Sequence, residues 1–190
     1  MIRYISKTMS RLILVVSLLV GNISYLVSDA WQQPPTNFGT LSSSMVGATD
    51  GNGNAVAAWF TGGGAGTRAS YYSNGAWGPI QAIDPVGSSP SVAMDASGTA
   101  LMIYEAQSST EIRTSYLSGG TWTTPPPAPL DTVLFTNRSS VAMNGSGGGV
   151  AVWSNTDFLN NTGVVRSSFF SAGSWSAPPT IATGINPNPN

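Results

Sequence analysis

Three arginines recur at one position of a repeated segment, and together they could hold a carboxylate. They are Arg68, Arg113 and Arg166, in the runs TRASYYS, IRTSYLS and VRSSFFS. A guanidinium group binds a carboxylate through two parallel hydrogen bonds, so a cluster of these side chains would select an anionic ligand. The alternative is structural, because a repeat that copies an arginine also copies its packing between neighbouring units. Identical placement in every repeat favours the structural interpretation.

Side-chain oxygens alternate along the stretch DGNGN in the manner of a calcium loop. They belong to Asp50, Asn52 and Asn54. The corresponding positions are Asp95, Ser97 and Thr99 in the second copy and Asn144, Ser146 and Gly148 in the third, and no late Glu completes a cage. Turn formation explains all three copies. The sequence therefore predicts neither a metal nor another cofactor, and this stretch is its one candidate for a cation site.

Two residue types are missing and the charge is low. The chain has no Cys and no His, which excludes disulfides, thiol catalysis, a Ser-His-Asp triad and metal sites built from these residues. Residues 31–190 carry four Arg, no Lys and seven Asp plus Glu, a net charge of 4 − 7 = −3. Nucleic acids and anionic membranes need clustered basic residues, so neither is a predicted partner. No catalytic residue is predicted.

The first 30 residues have the order of a secretory signal peptide. Three basic residues among the first 11 precede the apolar run LILVVSLLV, and Ser28-Asp29-Ala30 matches the small-x-small cleavage pattern. A spanning helix needs about 20 apolar residues, which argues against the alternative of an uncleaved anchor. The sequence predicts cleavage after Ala30, no membrane attachment afterwards, and a secreted, periplasmic or cell-envelope protein.

The rest of the chain repeats one unit about three times. One aromatic position recurs at intervals of 45 and 49 residues, and a second recurs at intervals of 45 and 53. The first set is Trp59, Tyr104 and Trp153, and the second is Trp77, Trp122 and Trp175. A period in this range belongs to four-stranded propeller blades.

Each unit divides into four segments, named a to d, that have the patterns of strands. Segment a is GATD, SVAMD or SVAMN, segment c is the arginine-containing run above, and segment d is AWGPI, TWTTP or SWSAP. Segment b (AVAAW, ALMIY, GVAVW) is apolar almost without alternation, as in a strand covered on both faces. Gly-containing turns link a to b and c to d. Segment d carries a Pro two or three residues after its Trp, which confines it to a sheet edge. These patterns predict an all-β, propeller-like domain over residues 31–190.

The repeat phase predicts three blades and one extra edge strand. The blades cover about residues 45–82, 91–128 and 140–181, and the extra d segment begins at Trp31. Closed propellers need at least four blades, so the propeller is expected to be incomplete. Its end blades would expose the runs AVAAW and VAVW, and such uncovered faces predict self-association through the open ends.

The turns between segments c and d resemble a known motif. YSNGAW, YLSGGTW and FSAGSW are similar to shortened copies of the Asp-box repeat of sialidase-like propellers, Ser-x-Asp-x-Gly-x-Thr-Trp, although no copy keeps the Asp. The resemblance implies blade architecture, and for a sialidase it would imply an arginine cluster, a Tyr nucleophile paired with a Glu, and an Asp acid. Only Glu105 and Glu111 are present, both predicted to lie in or beside a loop after segment b. No enzymatic activity is predicted.

The connections between segments b and c and between d and a differ in every unit. They share one end of the blades and contain or adjoin most remaining charges, which are Asp84, Glu105, Glu111, Asp131, Arg138 and Asp157. Variable loops on a rigid frame are where recognition is usually placed. The sequence thus predicts a binding module for a protein or carbohydrate. The alternatives are a fragment of a sialidase-like glycoside hydrolase, a structural envelope protein, and a truncated gene product without activity.

Overall fold

A computed structural model describes residues 42–106, 108–123, 128–136, 138–157, 159–160 and 162–184. The proposed signal peptide and the extra d segment at Trp31 lie outside these ranges and stay predictions. The described residues form β-strands, turns and loops, and contain no helix. Within them there is accordingly no membrane-spanning helix.

Three antiparallel sheets follow one another along the chain in the order a, b, c, d. Sheet 1 contains β1 (Ser42–Thr49), β2 (Ala55–Thr61), β3 (Gly66–Ser73), β4 (Ala76–Trp77) and β5 (Gln81–Asp84). Sheet 2 contains β6 (Ser88–Met94), β7 (Ala100–Ala106), β8 (Glu111–Ser118), β9 (Thr121–Trp122) and β10 (Asp131–Thr132). Sheet 3 contains β11 (Ser139–Met143), β12 (Gly149–Asp157), β13 (Thr162–Ser171), β14 (Ser174–Trp175) and β15 (Thr180–Thr183). Each sheet extends slightly beyond the predicted blade.

Segment d forms the edge of every sheet and is divided into two short strands. In sheet 1, β4 and β5 both pair with β3, and the chain leaves the ladder between them at Pro79. The Gly78 carbonyl at this break accepts a hydrogen bond of 2.9 Å from the buried Ser70 hydroxyl. The hydroxyls of Ser115 and Ser168 do the same in sheets 2 and 3. Each serine hydroxyl thus donates to a backbone carbonyl of segment d just after the first of its two short strands.

The turns adopt the predicted tight conformations. Between segments a and b, one Oδ1 atom of Asp50, Asp95 or Asn144 accepts hydrogen bonds from the backbone N–H groups two and four residues later. Between c and d, both central residues have positive φ, as at Asn74 (53°) and Gly75 (81°). Ala172 adopts the same conformation at 50°, which is unfavourable for a side chain with a Cβ atom.

Segment b of the middle sheet is covered on both faces. Met102 and Tyr104 pack with Val56 in a core between sheets 1 and 2. Leu101 and Ile103, which point the other way from β7, pack with sheet 3 in a second core. Because both faces of β7 are covered, the run ALMIY contains no polar position that faces water, as predicted from its lack of alternation. In sheets 2 and 3 the face toward the preceding sheet is called the front, and the opposite face the back. In sheet 1 the back is the face that packs on sheet 2, and the front is the opposite face.

The three sheets do not close into a ring. The back face of sheet 3 exposes Phe169 (60%), with Val152 and Ile181 also open to solvent. At the other end, the prediction that the apolar run of the first blade is exposed is wrong for Trp59, which points to the front of sheet 1 and is only 2% exposed. Among the described residues, sheet 3 therefore exposes a group of apolar side chains on one face, whereas Met45 on β1 is exposed in sheet 1.

Candidate functional site

The repeated arginine of sheet 2 bridges two sheets. Arg113 on β8 contacts Asp84 of β5 through Nη1 and Oδ2 at 3.0 Å, and contacts Glu111 at 2.7 Å. Asp84 is 2% exposed, so its charge is compensated almost entirely by this contact and by the N–H of Val86. Partial burial lowers the pKa of Arg113, but hydrogen bonds to the two carboxylates outweigh this and raise it. Arg113 is thus positioned for packing between sheets.

The next repeat forms the same bridge. Arg166 on β13 contacts Asp131 of β10 at 2.6 Å, and the indole Nε1 of Trp153 donates to the same carboxylate at 2.9 Å. Each bridge joins an arginine of segment c to an aspartate of the preceding segment d. Arg68 lies at the equivalent position of β3, where no described carboxylate is within ion-pair distance. Arg113 and Arg166 are therefore paired with different aspartates, one at each junction between sheets, and do not form a cluster with each other.

The acidic residues near the variable connections also have partners within the protein. Glu105 lies inside β7, and its carboxylate accepts hydrogen bonds from Thr136 at 3.1 Å and Ser109 at 3.0 Å. Glu111 is the first residue of β8. The prediction that places both glutamates in or beside a loop rather than inside a strand is wrong, because Glu105 belongs to β7 and Glu111 to β8. Asp157 accepts hydrogen bonds from Asn160, which lower its pKa.

Tyr104 lies among the groups that glycosidase chemistry would use, but it is enclosed. Burial raises the pKa of its hydroxyl, and the nearby carboxylate of Asp84 adds to this effect. The side chain is completely buried in the core between sheets 1 and 2, with the carboxylate of Asp84 near its hydroxyl. A nucleophile must contact its substrate, which a side chain in this position cannot do without opening the core.

The candidate cation site is organised as a turn. Oδ1 of Asp50 accepts the backbone N–H of Asn52 at 2.7 Å and that of Asn54 at 3.0 Å, and Oδ2 accepts the amide of Asn54. Slight burial acts to raise the pKa of Asp50, but the hydrogen bonds together have the larger effect and hold this pKa below its ordinary value. Asn52 donates to the carbonyl of Ala96 in sheet 2. The described residues contain no group of three or more acidic side chains that could hold a metal ion.

The connections at one end of the sheets carry exposed apolar side chains instead. We call this the loop end; it comprises the β2–β3, β5–β6, β7–β8, β10–β11 and β12–β13 connections. Leu134 in β10–β11 is 66% exposed and Leu159 in β12–β13 is 98% exposed, with Val86 and Phe135 also open to solvent. None of these residues was among the predicted site residues. The signal that could have found them is an apolar residue in a connection outside the repeat.

Backbone hydrogen bonds hold the longest of these connections in place. The Leu134 N–H donates to the side chain of Asn155 at 3.1 Å, and the Phe135 carbonyl accepts from Thr156 at 2.8 Å. On the other side, Thr136 donates its N–H to the Ser109 carbonyl at 2.9 Å. The β10–β11 connection is therefore tied to both sheet 2 and sheet 3, and it presents Leu134 from a fixed backbone.

Comparison with known proteins supports the architecture. No protein-family model and no curated protein matches the sequence. A solved structure described as Hadza microbial sialidase Hz136 is similar, with a TM-score of 0.51 and 11% sequence identity. The similarity covers 75% of this chain and 38% of that one, so the chain spans well under half of the sialidase. At this identity the similarity shows a sialidase-like propeller fold, and the fold alone.

Proposed function

We propose that this chain is an exported, propeller-like interaction module that recognises a protein or carbohydrate partner with its loop end. The observation that carries the proposal is the division of side chains at that end. The carboxylates of Asp84, Glu105 and Asp131 are engaged within the protein, whereas Leu134 and Leu159 extend into solvent. Exposed apolar side chains on loops, one of which is held by hydrogen bonds, are a feature of recognition surfaces.

The chemistry of this patch favours a protein partner with an apolar contact surface. Leu134 and Leu159 have no hydrogen-bonding side-chain groups for sugar hydroxyls, while an aliphatic or aromatic side chain would remove them from water. Arg138 is exposed in the same β10–β11 connection and adds one positive charge at the rim. Apolar centres with polar rims are the usual arrangement of protein interfaces.

Peptide selection on the immobilised exported chain tests this proposal. Displayed random peptides should be enriched in aromatic and aliphatic residues. Their affinity should fall at least about tenfold for the double variant Leu134→Ser/Leu159→Ser, because two exposed anchors are removed. Both positions are solvent-exposed, so the substitutions should change stability by less than about 0.5 kcal/mol.

Ile181→Ser is the matched control, since it removes an exposed apolar side chain from β15 on sheet 3. Peptides that require the loop end should bind this variant as they bind the unaltered chain. Equal binding to the double variant and to the unaltered chain would place recognition elsewhere and contradict the proposal.

The proposal also predicts that the chain does not hydrolyse sialosides. Glycoside hydrolysis requires an acid and a nucleophile or base in contact with the sugar ring. Tyr104 is enclosed in the core, and Asp84 is paired with Arg113. Fluorogenic release from a 4-methylumbelliferyl sialoside should equal the rate in buffer. A saturable rate that is lost in Tyr104→Phe would support the glycosidase alternative, because that substitution removes only the hydroxyl.

A further inference from the structure

A polar groove of about 470 Å³ lies between sheets 1 and 2 at the opposite end from the variable loops. We call this the turn end; it comprises the a–b and c–d hairpin turns. The groove is open along one side and is bordered by Asn54 and Tyr71 of sheet 1 and by the turns around Gly98 and Gly120 of sheet 2. Its size is within the range of small-molecule sites.

Tyr71 reaches across the junction and touches both turns of sheet 2. A Cβ atom placed on Gly120 would meet its ring carbons at 3.6 and 3.8 Å, and one placed on Gly98 would meet its hydroxyl at 3.2 Å. Both glycines have positive φ, so the backbone independently favours glycine there. The absence of side chains at these two positions leaves space beside the ring.

Tyr71 and the equivalent Tyr116 of the next repeat each pack beside a core, but their neighbours differ. Tyr116 packs against Phe170 with ring centroids 5.5 Å apart, and belongs to the surroundings of the second core. The residue that matches Phe170 in sheet 2 is the aliphatic Leu117, which offers no aromatic ring to Tyr71. Of these two tyrosines, Tyr71 is the one that borders the groove. The groove is therefore not a feature that the repeat copies at each junction.

The lining defines the chemistry of a ligand. None of the bordering side chains is charged, so the groove offers no cation for a carboxylate or phosphate. The nearest carboxylate, that of Asp50, is held by Asn54 and its turn. Burial raises the pKa of Tyr71 and the charge of Asp50 adds to this. A tyrosine is already protonated at neutral pH, so its hydroxyl is available as a donor there. The amide of Asn54 and the hydroxyl of Ser97 already donate to Asp50 and Asp95, so these side chains offer a ligand the acceptor atoms Oδ1 and Oγ.

We propose that this groove binds a neutral sugar ring, which packs against Tyr71 and hydrogen-bonds to the side chains of Asn54 and Ser97. A ring with several hydroxyls matches one aromatic side chain beside uncharged donors and acceptors. A lipid would find too little apolar surface, and a sialic acid would find no arginine. The site is separate from the loop end, so it goes beyond the interaction proposed for those loops.

Ligand-observed and protein-observed NMR on the exported chain tests the proposal, with methyl glycosides of glucose, galactose, mannose and N-acetylglucosamine as probes. At least one should show saturable binding with a Kd in roughly the millimolar range expected for a single sugar. Tyr71→Ala should weaken it at least about tenfold, and Tyr71→Phe by about threefold through loss of one hydrogen bond. Ser97→Ala tests the Ser97 side of the groove, and its thermal unfolding is measured alongside because the Ser97 hydroxyl also donates to the buried Asp95.

Phe169→Ala provides the matched control because Phe169 holds the position of Tyr71 in sheet 3 and is exposed away from the groove. It should bind as the unaltered chain does, and so should Leu134→Ser/Leu159→Ser, which separates this site from the loop end. The proposal is overturned if no glycoside binds, if Tyr71→Phe, Tyr71→Ala and Ser97→Ala all bind as well as the unaltered chain, or if sialyllactose binds more tightly than the neutral sugars.

Discussion

Replacing Arg113 with alanine is expected to lower the free energy of unfolding by about 3 kcal/mol. The substitution leaves the carboxylate of Asp84, which is 2% exposed, without its positive partner between sheets 1 and 2. A buried charge that loses its partner costs more than the pair contributes, because the remaining group has neither water nor a counter-charge. Urea denaturation followed by tryptophan fluorescence measures the change.

Arg68→Ala is the control, because Arg68 occupies the same position of the repeat and has no described carboxylate within ion-pair distance. Its loss should change stability by less than about 0.5 kcal/mol, as for an ordinary surface substitution. Similar losses for Arg113→Ala and Arg68→Ala would show that the bridge to Asp84 does not stabilise the junction. They would also reopen the possibility of a shared role for the repeated arginines.

Ile103→Ala is expected to cost about 3 kcal/mol, whereas Val152→Ala should cost less than about 1 kcal/mol. The two residues occupy equivalent positions on the back faces of sheets 2 and 3. Ile103 is completely buried against sheet 3, but Val152 has no following sheet and remains partly exposed. Removing methyl groups is costly only where neighbours leave a cavity behind them.

Repeating both measurements over a range of protein concentrations tests self-association through the open face. If copies of the chain associate through Val152 and Phe169, the cost of Val152→Ala should increase with concentration, because binding to the folded state stabilises it. A cost equal to that of Ile103→Ala at every concentration would mean that the back face of sheet 3 is covered within the chain, and the open arrangement would be wrong.

The sequence by itself determined the repeat and the roles of its four strands. Strand b could be recognised because burial on both faces removes the polar residues, and strand d because proline cannot donate to a ladder. The turns were evident from Asx and Gly residues at fixed offsets. These are local properties of the chain, and each residue type carries the conformational preference that places it.

The partners of side chains across the sheet junctions were decided only by the tertiary structure. Arg113 and Asp84 are 29 residues apart, and nothing in the local pattern shows that one arginine of the repeat meets a carboxylate while Arg68 does not. The environment of Tyr71 likewise depends on Leu117 in the neighbouring sheet rather than on its own segment. Periodicity specifies which face a residue occupies, but its charge partner and the space beside it depend on how the sheets pack.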